Sequence, residues 1–195
     1  MPTDFDAFNR DVAAAIEMSL GGSTGGDPAD RPDLHGDLPG LPGALGRGLA
    51  TIHRSVVPHG ADPTDVGALI RARLDHGVVE PADLPDPYCR HDVERLFSFW
   101  EAGGVRCDQI ATSVCLVGAL TIDRLLMNEG EVTGISGAFG LVGDHHLDLA
   151  VLQHSIHETL GAEAVFGFYE AYGSDPNIVA LDHYTLTGLL LGWIS

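Results

Sequence analysis

The chain has 195 residues, 45% hydrophobic and 19% charged, the composition of one folded domain with a core rather than of a disordered segment. Its 28 acidic residues against 10 basic ones leave a formal net charge of −18, a field that repels nucleic acid and anionic lipid and suits cationic ligands or basic protein surfaces. Every basic residue is arginine, which excludes Schiff-base chemistry and any lysine that would hold nucleotide phosphates.

Phe5, Phe8, Val12, Ile16 and Leu20 recur at helical spacing and predict an amphipathic helix over 4–20, capped by Thr3 or Asp4. The acidic start, Met1-Pro2-Thr3-Asp4, lacks the basic region of a signal peptide. Residues 21–43 read as a Gly/Pro/Asp-rich loop. Leu45, Leu49, Ile52 and Val56 mark a second helix, and Val66, Leu69, Ile70 and Leu74 a third over 65–75. After a turn-rich stretch at 81–87, Val93, Leu96, Phe97 and Trp100 mark a fourth helix, which Gly103-Gly104 is expected to end.

Ile110 to Leu120 is a nearly continuous apolar run, as expected of a fully buried segment. Asn128-Glu129-Gly130-Glu131 between Leu125-Leu126-Met127 and Val132-Thr133-Gly134-Ile135 signals a short hairpin. From His146 the helical period returns, over Leu147, Leu149, Val151, Leu152 and Ile156, then 164–172, then 177 to the end. The apolar stretch from Leu186 to Ile194 is far short of the roughly 20 residues a membrane span needs. Cys89, Cys107 and Cys115 have no paired spacing and read as reduced thiols of a cytoplasmic protein. The expected class is mainly α (α+β). Residues 1–40 form a helix and loop, and 41–195 form a helical domain with a hairpin near 124–136.

The order of pieces in the second half is specific. Val117-Gly118-Ala119-Leu120-Thr121-Ile122-Asp123-Arg124 follows the buried run. The hairpin comes next, then Gly143-Asp144-His145-His146-Leu147-Asp148-Leu149-Ala150. Over about 40–195 this resembles the C-terminal lobe of the aminoglycoside phosphotransferase family, and the segment Leu45 to His53, Leu-Gly-Arg-Gly-Leu-Ala-Thr-Ile-His, resembles the helix that opens that lobe. The resemblance implies a kinase-like fold with a nucleotide cleft. It also implies a His-Gly-Asp motif with a metal-binding Asn five residues later, and a second metal-binding Asp after the hairpin.

This chain departs from that pattern where the chemistry sits. The motif His is Val117, the Asp is Ala119 and the Asn is Arg124, and Ile135-Ser136-Gly137-Ala138-Phe139-Gly140 has no carboxylate. Phosphoryl transfer depends on positioning and on a hard metal ion held by oxygen ligands; alanine offers none, and arginine repels the ion. The first 40 residues are too short for the family's nucleotide-binding lobe, and the replaced motif residues point to evolutionary loss rather than truncation. His35-Gly36-Asp37-Leu38 spells the motif by chance, in a loop with no buried strand before it.

The expectation is therefore a degenerate kinase fold that binds a small cationic molecule or a protein or peptide partner. No nucleic acid, membrane, cofactor or metal is expected, nor any catalytic residue for phosphate transfer. The candidate cleft residues are Arg124, Asp123, Ser136, Asp144, His145 and His146. Arg124 either grips an anion by paired hydrogen bonds or bridges to Asp123 and seals the cleft. Asp144 and Asp148 match acids that support the family's catalytic loop, and read from sequence as helix N-terminal caps. His154 and His157, with Glu158, are one turn apart and could share a metal, but they lack a third ligand at fixed spacing, so surface or capping roles fit them better. Cys115 reads as core. A face left open by the missing lobe would make a homodimer or hetero-oligomer. The alternatives are an enzyme using Arg124 with His145 or His146 as acid or base, and an accessory subunit of a kinase-like complex.

Overall fold

The computed structural model describes residues 27–28, 40–55, 57, 62–107, 112–136 and 140–194. The expected helix over 4–20 and the His35-Gly36-Asp37 string lie outside them. The fold is mainly helical with two small antiparallel sheets. Its six α-helices among the described residues are α1 (Leu41–His53), α2 (Val66–Asp75), α3 (Val93–Cys107), α4 (His146–Leu160), α5 (Ala162–Tyr172) and α6 (Ile178–Leu190). The strands are β1 (Asp27–Pro28), β2 (Ser113–Leu116), β3 (Leu125–Asn128), β4 (Glu131–Ile135) and β5 (Leu141–Asp144).

Helix α1 buries Leu41, Ala44, Leu45, Leu49 and Ile52 on one stripe, as the apolar spacing requires. Its glycines are contact points. A Cβ on Gly46 would stand 2.8 Å from the Tyr172 backbone nitrogen of α5, and one on Gly48 2.6 Å from Val132 Cβ of β4. Helix α2 begins where expected because the Asp65 side chain accepts the Ala68 N–H at 2.9 Å. Helix α6 begins where the Asn177 side chain accepts the N–H groups of Val179 and Ala180.

The fourth helix does not end at Gly103-Gly104 but runs on to Cys107. Gly103 is a packing residue and not a cap: a Cβ there would lie 2.7 Å from His183 Nδ1 on α6. The missing side chain lets the His183 ring, stacked on Trp100 at 5.6 Å, settle against the α3 backbone.

The hairpin is present. Glu129 and Gly130 both have positive φ, 51° and 81°, as a two-residue type I′ connection demands. The register slips between Leu126 and Met127, leaving Thr133 as the extra residue on β4. The expected loop over 21–43 gives way to α1 at Leu41, and Asp27–Pro28 within it pairs with Met127 and Leu126 on the outer side of β3. Strand β2, the core of the apolar run at 110–120, pairs antiparallel with β5 and sets Ser113 opposite Asp144. Helix α4 lies beneath these strands, buried along most of its first two turns. Cys115 is fully buried in the core; burial pushes its thiol up, against a smaller opposing pull from a Ser55 hydrogen bond. No helix among the described residues is long and apolar enough to cross a membrane.

Candidate functional site

The segment between β2 and β3 is a loop whose shape is set from below by α4. Asp148, fully buried, accepts the N–H of Val117 at 2.7 Å and of Gly118 at 3.0 Å, one on each carboxylate oxygen. Two turns on, the Ser155 hydroxyl accepts the N–H of Ile122 at 2.9 Å. Residues 148 and 155 are seven apart, so they share one helix face about 10 Å from one another and pin the loop at both ends. Gly118 and Ala119 both take positive φ, 68° and 46°, a conformation that costs a non-glycine residue about 1 kcal/mol or more. Asp148 is therefore a loop anchor, and its reading as a helix cap is corrected: its carboxylate reaches across to another element instead of to its own helix.

Asp144 does act at the helix start. Its Oδ1 accepts the His146 N–H at 2.8 Å and the His146 Nδ1–H at 2.6 Å, while Oδ2 accepts the Thr112 N–H at 3.0 Å. Burial pushes its carboxyl up, but the side-chain and backbone hydrogen bonds from His146 outweigh that and leave it below the usual range. His145 lies beside this pair, its ring 4.1 Å from that of His146 and 6.1 Å from that of His53. Burial, then the neighbouring His146, lowers the His145 imidazole to about 4 against the pull of Asp144, so it is neutral at physiological pH.

Two groups that the sequence reading passed over complete the cluster. His53, at the end of α1, bridges Asp148 Oδ2 through Nε2 at 3.3 Å and the Tyr172 hydroxyl through Nδ1 at 2.9 Å. A carboxylate only accepts, so Nε2 donates to Asp148 and Nδ1 accepts from Tyr172. Burial and then Asp148 push the Tyr172 phenol up to about 12, which keeps it a donor. The clue to His53 was its position on the buried α1 stripe, four residues after Leu49.

The six candidate residues fall into two groups. Asp144, His145 and His146 meet at the start of α4, with ligand atoms all within 4.8 Å of one another. That spacing would admit a metal ion, but the Asp144 oxygens and His146 Nδ1 are already engaged in the contacts above. Arg124 and Ser136 meet at the open end of the hairpin, where the Arg124 carbonyl accepts the Ser136 N–H at 2.7 Å. Asp123 is exposed beside them and Arg124 is half-buried. His157 pairs with Glu158 at 3.1 Å on the exposed surface, as expected of a surface histidine.

Comparison with protein-family models finds no match, and neither does comparison with the sequences of curated proteins. Comparison with solved structures is decisive for the architecture. The aminoglycoside phosphotransferase APH(3'')-Id from Streptomyces rimosus superposes with a TM-score of 0.70 at 20% identity, over 87% of this chain and 67% of that one. The chain has the aminoglycoside phosphotransferase fold. An aminoglycoside-3'-phosphotransferase of type VIII gives a TM-score of 0.71 at 20% identity, over 86% of this chain and 66% of its own. A choline/ethanolamine kinase family protein from Mesorhizobium loti gives 0.65 at 19%, over 95% and 67%. The chain thus spans about two thirds of the length of these phosphotransferase-fold proteins, and at such identity the likeness is one of fold.

Proposed function

We propose that the chain is a catalytically degenerate kinase-fold protein that acts by binding a ligand or a protein partner. One observation carries this reading. The loop from Val117 to Arg124 keeps an anchored, partly left-handed backbone, yet the position expected to carry the reactive carboxylate is Ala119. Ala119 is only 8% exposed and offers no oxygen to a metal or a hydroxyl. The position expected to hold magnesium is the cation Arg124. Scaffold without chemistry is what a binding protein derived from an enzyme retains, since fold and activity are separable.

Of the candidate residues, solvent reaches Asp123, Arg124 and Ser136 at the hairpin base and His145 at the start of α4. Asp144 and His146 hold each other beside His145. A net charge of −18 favours a cationic ligand. The substrates named for the similar structures, aminoglycosides and choline or ethanolamine, are cations of this kind. Titration calorimetry with ATP-Mg, GTP-Mg and a panel of aminoglycosides and polyamines tests the reading. Saturable heat with a cationic ligand and none with nucleotide is the expected result; binding of nucleotide with magnesium overturns it.

A further inference from the structure

Away from the loop and hairpin, a cavity of about 400 Å³ opens between α3, α6 and the turn around Tyr88. Its size falls in the range of small-molecule sites, roughly 300–1,000 Å³. One wall is aromatic and aliphatic: Tyr88 and Phe99, edge to face at 6.5 Å, with Val179 and Leu186. Phe99 and Val179 are 55% and 53% exposed, an apolar surface turned to water without a partner. The same cavity is lined by one cation, Arg106, and one anion, Asp182. Nearby, Arg71 is held by Glu94 at 2.8 Å and lies over the Phe97 ring, and Arg73 donates to the Leu190 carbonyl. Among the described residues, neither Arg106 nor Asp182 has a salt bridge or a side-chain hydrogen bond, with each other or with any neighbour.

We propose that this cavity binds a zwitterionic α-amino acid with an apolar side chain, its carboxylate on Arg106, its ammonium on Asp182 and its side chain against Tyr88, Phe99 and Leu186. The site goes beyond the binding function proposed for the loop, and uses other residues. The pairing of charges decides the ligand class. A simple organic cation would satisfy Asp182 but meet the Arg106 guanidinium, and a simple anion would meet Asp182. A neutral apolar molecule would leave both charges without a partner in the ligand. A zwitterion answers both, with the planar guanidinium matched to a carboxylate. Burial, then Asp182, raises the Tyr88 phenol, so its hydroxyl remains a donor at the edge of the site.

Titration calorimetry of the full chain with L-phenylalanine, phenethylamine and hydrocinnamate tests the proposal, since the last two each lack one charge. Saturable binding of L-phenylalanine is expected, with each half-analogue weaker by at least about tenfold. Arg106→Gln should bring L-phenylalanine down to the affinity of phenethylamine, and Asp182→Asn down to that of hydrocinnamate. Both residues are exposed, so the variants should melt with the parent. Trp100, stacked on the cavity residue His183, supplies an independent fluorescence readout. Absence of saturation by L-phenylalanine, a half-analogue that binds as tightly as the amino acid, or binding untouched in both variants would overturn the proposal.

Discussion

Asp148 holds two consecutive backbone N–H groups, those of Val117 and Gly118, from a side chain with no exposed surface. Removing it strands both donors and takes away the His53 contact. Asp148→Ala should cost about 3–5 kcal/mol, the range for breaking a buried charged hydrogen-bond set. Asp148→Asn, which keeps one acceptor oxygen, should cost less. Urea unfolding followed by circular dichroism gives both values, and a loss under about 1 kcal/mol for the alanine variant would remove Asp148 from its anchoring role.

The adjacent glycines of α3 should respond in opposite directions to alanine. A Cβ on Gly103 would sit 2.7 Å from His183 Nδ1, so Gly103→Ala must displace a ring stacked on Trp100 and should destabilise by about 1–3 kcal/mol. The nearest atom to a Cβ on Gly104 is 3.7 Å away, an ordinary contact in a helix interior. Gly104→Ala should therefore stabilise, by up to about 1 kcal/mol. Paired thermal melts read the difference in sign.

Glu129 occupies a left-handed position, φ 51°, at an exposed hairpin turn. Asparagine and glycine tolerate that region and glutamate does not. Glu129→Asn should raise stability by about 0.5–1 kcal/mol with no change at the loop. A melt identical to the parent would mean that the turn relaxes in solution.

The acid limb of stability should carry the signature of His145. Its folded imidazole lies at about 4, below the ordinary value near 6.5. Between those values the unfolded chain binds a proton that the folded chain refuses. The contribution is complete above about 6.5 and is lost as pH falls toward 4. Asp144, held below the usual carboxylate range, acts further down, losing its contribution only as its own carboxyl takes up a proton. His145→Asn should flatten the melting temperature between pH 6.5 and 4 relative to the parent, and an unchanged slope would assign the transition to other groups.

What the sequence made legible was local. The helix over about 65–75, the Asn128–Glu131 turn and the apolar stripes of α1 and α4 each follow from a few neighbouring residues, and all are present. What it hid depended on distant partners. Whether Gly103 ends a helix or admits a ring is decided by His183, eighty residues away. Whether Asp148 caps its own helix or holds a loop is decided by where β2 lies, and β2 is placed by pairing with β5 across the intervening hairpin. The order of elements, in contrast, was enough to reach the phosphotransferase fold that the solved structures display. Sequence grouped the six candidate residues into one cleft; the fold separates them into a pair at the hairpin base with an exposed neighbour, and a cluster at the start of α4.

The short pairing of Asp27–Pro28 with β3 bears on how the molecule behaves in crowded solution. Without it, β3 would present a bare row of donors and acceptors on its outer side, the feature through which chains add to one another edge to edge. Proline has no N–H to offer a further strand. The two-residue cover therefore occupies the outer side of β3 at Leu126 and Met127 and takes those positions out of reach of another chain's strand.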